Sequence, residues 1–145
     1  MQRGLLLFAH GARDPRWALP FEAVAGRARA QAAVALSPAP QVVLGFLEFM
    51  APDLLGAGAQ LVEGGCEVVD VVPLFLGAGG HVRKDLPVLM DTLRTRHPAV
   101  HWTLRPAIGE ATEVVEAMAA VALAGLLPES ASDAADPPDA RAIDP

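Results

Sequence analysis

Two histidines stand just behind apolar runs of this chain. His10 follows Leu5-Leu6-Leu7-Phe8-Ala9 and opens His10-Gly11-Ala12-Arg13-Asp14-Pro15-Arg16, while His81 follows Pro73-Leu74-Phe75-Leu76-Gly77-Ala78-Gly79-Gly80 and opens His81-Val82-Arg83-Lys84-Asp85. Neutral imidazole binds borderline divalent metals such as cobalt, nickel, iron or zinc, and it accepts protons near neutral pH. Glu48 sits in the otherwise apolar stretch Phe46-Leu47-Glu48-Phe49-Met50. An ionised carboxylate there is costly unless paired or functional, so Glu48 reads either as a proton acceptor or outer metal ligand, or as a cap or salt-bridge partner. Two histidines and one carboxylate, with no cysteine beside them, suit a transient metal site better than a closed structural zinc site. Gly77, Gly79 and Gly80 let the backbone approach a flat ligand or turn tightly. The stretch lacks the Gly-Lys-Ser/Thr ending of a phosphate-binding P-loop. His97 and His101 flank Pro98 before the last apolar run and read as surface residues.

The elements that must hold these residues follow from hydrophobic periodicity. Apolar runs at 4–9, 41–47, 68–76 and 99–105 alternate with helical patterns at 17–36, from Pro52 to Gly64-Gly65, at 82–96 and at 110–126. Four strand–helix units in strict alternation predict a parallel sheet with helices on both faces, because each parallel crossover needs a helix and runs right-handed. The expectation is an α/β fold in one domain over residues 1–127, a four-stranded sheet in the flavodoxin-like order. In that order the first and third strands are neighbours, so His10 and His81 face one crevice beyond the carboxyl ends of the strands. From residue 128 the chain turns to Pro, Ala, Ser and Asp without periodicity, which predicts a disordered acidic tail.

Composition sets the outer bounds. A chain of 145 residues with 52% hydrophobic and 19% charged content can bury one real core. The net charge of -6 and the lack of a basic stripe argue against a nucleic-acid partner. No apolar run nears the roughly 20 residues that span a bilayer, and no basic-apolar signal pattern opens the chain. Cys66 has no disulfide partner and reads as a small buried hydrophobe in a reducing compartment. A cytoplasmic protein is expected.

Three segments together resemble a known family, the short-form class II sirohydrochlorin chelatases, the cobalt or iron chelatases of the cobalamin and siroheme pathways. Residues 5–16, Leu-Leu-Leu-Phe-Ala-His-Gly-Ala-Arg-Asp-Pro-Arg, look like the family's first motif, with Ala12 where Ser is usual. Residues 73–87 resemble its second and more specific motif, and Phe46-Leu47-Glu48-Phe49-Met50-Ala51-Pro52-Asp53-Leu54 its glutamate-bearing one. The resemblance spans about residues 4–125. It implies a chelatase-like fold, His10 and His81 as metal-binding and catalytic residues with Glu48 assisting, and insertion of a divalent metal into sirohydrochlorin or a related tetrapyrrole. The ion (Co²⁺, Fe²⁺ or Ni²⁺) is then a substrate, and no organic cofactor is implied. Larger chelatases contain two such halves, so a one-half chain is expected to pair as a homodimer. Sirohydrochlorin is rich in peripheral carboxylates, for which Arg13, Arg16, Arg83 and Lys84 are suitable partners, with Gly79 and Gly80 beside them. Phe46, Phe49, Met50, Leu76 and Trp17 are candidates for covering the ring faces. Two other classes remain in view. A non-catalytic metal or tetrapyrrole binder would use the same imidazoles without turnover. A histidine phosphatase also carries His-Gly after its first strand, but with Arg before that His, where this chain has Ala9.

Overall fold

A computed structural model describes residues 1–77 and 79–128, the side chain of His81 excepted. The strands are β1 (Arg3–Ala9), β2 (Gln41–Phe46), β3 (Val68–Pro73) and β4 (His101–Leu104). They alternate with the helices α1 (Leu19–Ala35), α2 (Leu54–Glu63), α3 (Gly80–Arg96) and α4 (Thr112–Leu123). Helix starts differ from the sequence expectation by a few residues, for local reasons. The Asp14 side chain accepts the Arg16 backbone N–H and starts a short 3-10 turn, Pro15–Ala18, ahead of α1. Asp53, not Pro52, caps α2, its carboxylate accepting the Gly56 N–H at 2.8 Å. Gly79 is the extended cap of α3, which therefore begins at Gly80 and takes His81 into its first turn instead of leaving it in a loop.

All four strands are parallel, in the order β2-β1-β3-β4. This is the order expected, and it places β1 at the centre with β2 and β3 beside it. Along β1 the side chains alternate between two covered faces. Leu6 and Phe8 join Val69, Val71 and Trp102 beneath α2 and α3, where Leu61, Met90 and Leu93 complete the main core. Leu7 turns the other way, onto Val42 and Ala25 of α1. Burial on both faces is why the strands read as unbroken apolar runs. Cys66 is buried at the start of β3, where desolvation pushes its thiol pKa up, in keeping with an inert packing role.

The chain divides into two compact units, Met1–Thr112 and the residues from Glu113 onward. The sheet and every candidate site residue lie in the first. In the second, α4 and a 3-10 turn, Ala124–Leu126, are described, and the helix carries exposed Val115, Met118 and Val121. The acidic tail expected from residue 128 lies, from Glu129 on, outside the described residues. Among the described residues no helix is long and apolar enough to cross a membrane.

Candidate functional site

The carboxyl edge of the sheet begins where backbone pairing outlasts the strands. Leu47 N–H donates to Ala9 carbonyl at 2.9 Å and Glu48 N–H to His10 carbonyl at 3.1 Å, so the loops after β1 and β2 leave the sheet still side by side. Gly11 permits this. Its φ is +92°, and a Cβ there would collide with the Glu48 carbonyl oxygen, so only glycine lets the two loops touch. The consequence is chemical: Nε2 of His10 stands 3.1 Å from Oε1 of Glu48. Both side chains are about half exposed, at 47% each, so the pair is open to a small ion from solvent.

The neighbouring groups are apolar or cationic. The Phe75 ring meets His10 edge-on at 6.2 Å and Phe8 at 5.8 Å, which supports the imidazole from the core side. Phe49 holds a left-handed backbone with φ 65° while its ring is 58% exposed, and Arg13 lies over that ring at 5.0 Å. An exposed phenylalanine in a conformation that non-glycine residues rarely adopt marks a place where the local fold overrides propensity. A hollow of about 320 Å³ runs beside it, bordered by Arg13, Glu22, Phe49 and Met50. Leu76, 67% exposed, is a second apolar side chain open to solvent on this edge. Phe46 is buried, and Trp17 packs on Phe21 at 4.5 Å, so these two belong to the core rather than to a ligand face.

His81 takes the second position of α3, just beyond β3 and therefore on the same edge as His10; its imidazole lies outside the described residues. Gly79 and Gly80 face open space, since a Cβ on either would meet nothing within 4 Å. Arg83 and Lys84 are exposed in the next positions of α3. Arg16, by contrast, is occupied: its Nε and Nη2 donate to Asp14, with Nη2 at 2.9 Å, and this guanidinium holds the Asp14 carboxyl below the usual range. A solvated pair of this kind contributes little stability. His97 caps the far end of α3 against Trp102, and His101 starts β4, so both lie at the amino edge, away from the site.

Among the described residues no group of three metal-ligating side chains comes together. His10 and Glu48 come together as a pair.

The sequence matches the profile of the CbiX family over residues 4–123. This chain belongs to the CbiX family. Among relatives, it is 36% identical over 84 residues to a sirohydrochlorin cobaltochelatase of Sulfolobus acidocaldarius, a match covering 58% of this chain and 63% of that protein. The chain thus spans less than two thirds of the curated relatives it matches. The cobalamin (vitamin B12) biosynthesis CbiX protein of Marinobacter aquaeolei VT8 superposes with TM-score 0.71 at 30% identity, covering 86% of this chain and 97% of the other. The sirohydrochlorin chelatase SirB of Bacillus subtilis subspecies spizizenii, crystallised with cobalt, superposes with TM-score 0.69 at 27% identity, over 81% of this chain but 48% of SirB. A CbiX-family chain of this length thus corresponds to about half of the longer protein.

The sequence pattern places His10, Glu48, Arg13 and Arg83 on this edge but not Arg105. Arg105 follows β4 directly, and its Nη1 donates to Asp70 on β3 at 3.0 Å. Arg105 is hidden in the sequence because the fourth apolar run extends through 105, whereas β4 ends at Leu104.

Proposed function

We propose that this CbiX-family chain is a sirohydrochlorin chelatase, inserting a divalent metal ion into that macrocycle or a closely related one. The observation that carries the reading is the exposed His10–Glu48 pair. Two donors 3.1 Å apart, each bound to one ion at about 2.1 Å, subtend about 95° at it, near the right angle between adjacent ligands of an octahedral ion. The spacing of the pair therefore matches that of two adjacent ligands on one divalent ion, which a small turn of either side chain would aim at it. A neutral imidazole and a carboxylate hold such an ion without the thiolates that would make release slow.

Insertion exchanges one divalent ion for two pyrrole protons. As the ion passes to the ring nitrogens, the lone pair of His10 and the carboxylate of Glu48 become free, and each can take one of those protons. The swap leaves the charge of the site unchanged, which matters on an edge where few counterions are at hand. His81 is the third group, as ligand or proton acceptor. Phe49 and Leu76 offer apolar contact to the ring, and Arg13, Arg83 and Lys84 pair with its rim.

An absorbance assay of the purified protein with sirohydrochlorin and Co²⁺, Fe²⁺ or Ni²⁺ in turn tests the activity. Accelerated appearance of the metallated spectrum over the non-enzymatic rate is expected with at least one ion. Stoichiometric binding without turnover would instead make the chain a metal or tetrapyrrole carrier.

The functional unit is a homodimer, a reading supported by the half-length match to SirB. The lone buried cysteine suits the reducing cytoplasm. Light scattering on the full chain and on a chain ending at Leu127 should give a dimer mass for both; a monomer in both would sink the two-halves argument.

A further inference from the structure

Past β4 the same edge carries a feature that the metal pair does not use. A cavity of about 310 Å³ opens between α3 and the segment after β4, with an apolar floor from Phe75, Leu86 and Leu104 and a charged wall from Arg83, Arg105 and Glu110. The guanidinium of Arg83 has no hydrogen-bond or ion-pair partner among the described residues. Arg105 spends its Nη1 on Asp70 and stays more than half exposed. A guanidinium has five N–H donors in a planar fork, so one bond to Asp70 orients Arg105 without exhausting it. The wall is also held in place. Gly109 N–H donates to Phe75 carbonyl at 2.9 Å, and a Cβ at 109 would collide with the Leu76 backbone, so the segments after β3 and β4 are locked together.

The placement suggests what the cavity takes. Phe75 lines it and also touches His10, so the cavity begins where the metal pair ends. Only β3 separates β1 from β4, which puts positions beyond those two strands about 10 Å apart, two strand spacings. That is comparable to the distance from the centre of a tetrapyrrole to the carboxylates on its rim. We propose that this cavity seats one carboxylate arm of the macrocycle, with Arg83 and Arg105 binding the arm and Asp70 positioning Arg105. The inference rests on the chelatase reading above. The methylenes of the arm lie on Phe75 and Leu86.

The test is steady-state Co²⁺ insertion into sirohydrochlorin and into the same macrocycle with its carboxylates converted to primary amides. Arg83→Gln and Arg105→Gln should each raise KM for the acid about tenfold, with kcat and the KM for Co²⁺ unchanged. Asp70→Asn should raise the same KM less, and Arg105→Lys should recover part of the loss. With the amide, wild type and variants should be equal. A wild-type KM for the acid in the arginine variants, or an equal loss with the amide, overturns the proposal. If Arg105→Gln fails to fold, Arg83→Gln carries the comparison, since that side chain has no partner among the described residues to lose. Should wild type bind sirohydrochlorin without inserting metal, the chelatase reading fails separately. Kd values from tryptophan fluorescence quenching then decide the seat, equal values for wild type and Arg83→Gln overturning it and a rise of about tenfold in the variant supporting it. If wild type does not bind the macrocycle at all, both readings are overturned.

Discussion

His10→Ala should lower the enzymatic rate of metal insertion by at least about hundredfold, the low end of what one positioned proton acceptor supplies, while Tm stays within a degree or two of wild type. The imidazole is half exposed and its one polar side-chain contact among the described residues is the equally exposed Glu48, so its removal leaves none of them buried without a partner. His10→Gln keeps the volume and a hydrogen bond to Glu48 but supplies only an amide, and it should be nearly as inactive. Glu48→Gln should retain the fold and weaken metal capture, because an amide oxygen is a poorer ligand than a carboxylate and takes no proton. His81→Ala is expected to match His10→Ala in effect; His97→Ala and His101→Ala should change little, since both lie at the opposite edge of the sheet. Insertion rates with the non-enzymatic rate subtracted, next to thermal melts of each variant, settle the matter. Near-native turnover in His10→Ala would remove the imidazole from the mechanism and leave the His10–Glu48 pair a surface contact.

The second large effect is expected at a residue with no reactive atom. Gly11→Ala forces a side chain into a left-handed backbone position and drives its Cβ into the Glu48 carbonyl oxygen. Relief requires either a change of φ at residue 11, which turns His10, or a retreat of the loop after β2, which carries Glu48 away. In either case the 3.1 Å approach of Nε2 to Oε1 is lost. The destabilisation should be about 2–4 kcal/mol, from αL strain plus a backbone clash, seen as a fall in Tm of roughly 10 °C or more. Activity at a temperature where the variant is still folded should fall as well, because misplacing paired ligands by about 1 Å costs on the order of hundredfold. A Gly65→Ala control separates the two effects, since Gly65 also has positive φ but a Cβ there meets nothing within 4 Å. That variant should lose stability with unchanged activity per folded molecule. Equal behaviour of the two variants would mean that Gly11 serves only the backbone and that the loop contact does not set the site.

The amino-acid sequence alone determined the architecture. Strict alternation of apolar runs and helical periodicity leaves a parallel sheet as the economical solution, and right-handed crossovers restrict the strand order, so β2-β1-β3-β4 and the main core were legible from patterning. That His10 and Glu48 fall just past apolar runs, and so at the carboxyl edge of the sheet, was legible too. Helix starts were less so. Whether Asp14, Asp53 or Gly79 caps a helix depends on one side-chain or backbone bond, which shifts a boundary by a few residues without touching the hydrophobic pattern. Only the tertiary structure decided which polar groups meet. His10 and Glu48 are 38 residues apart, and their contact depends on β1–β2 register continuing past the strand ends through Gly11. Arg16 is bound to its near neighbour Asp14, while Arg105 reaches across to Asp70 and so comes to share a wall with Arg83. Periodicity is a property of single elements, whereas pairings such as these are set by register and by close backbone approach between elements, which no one-dimensional pattern encodes.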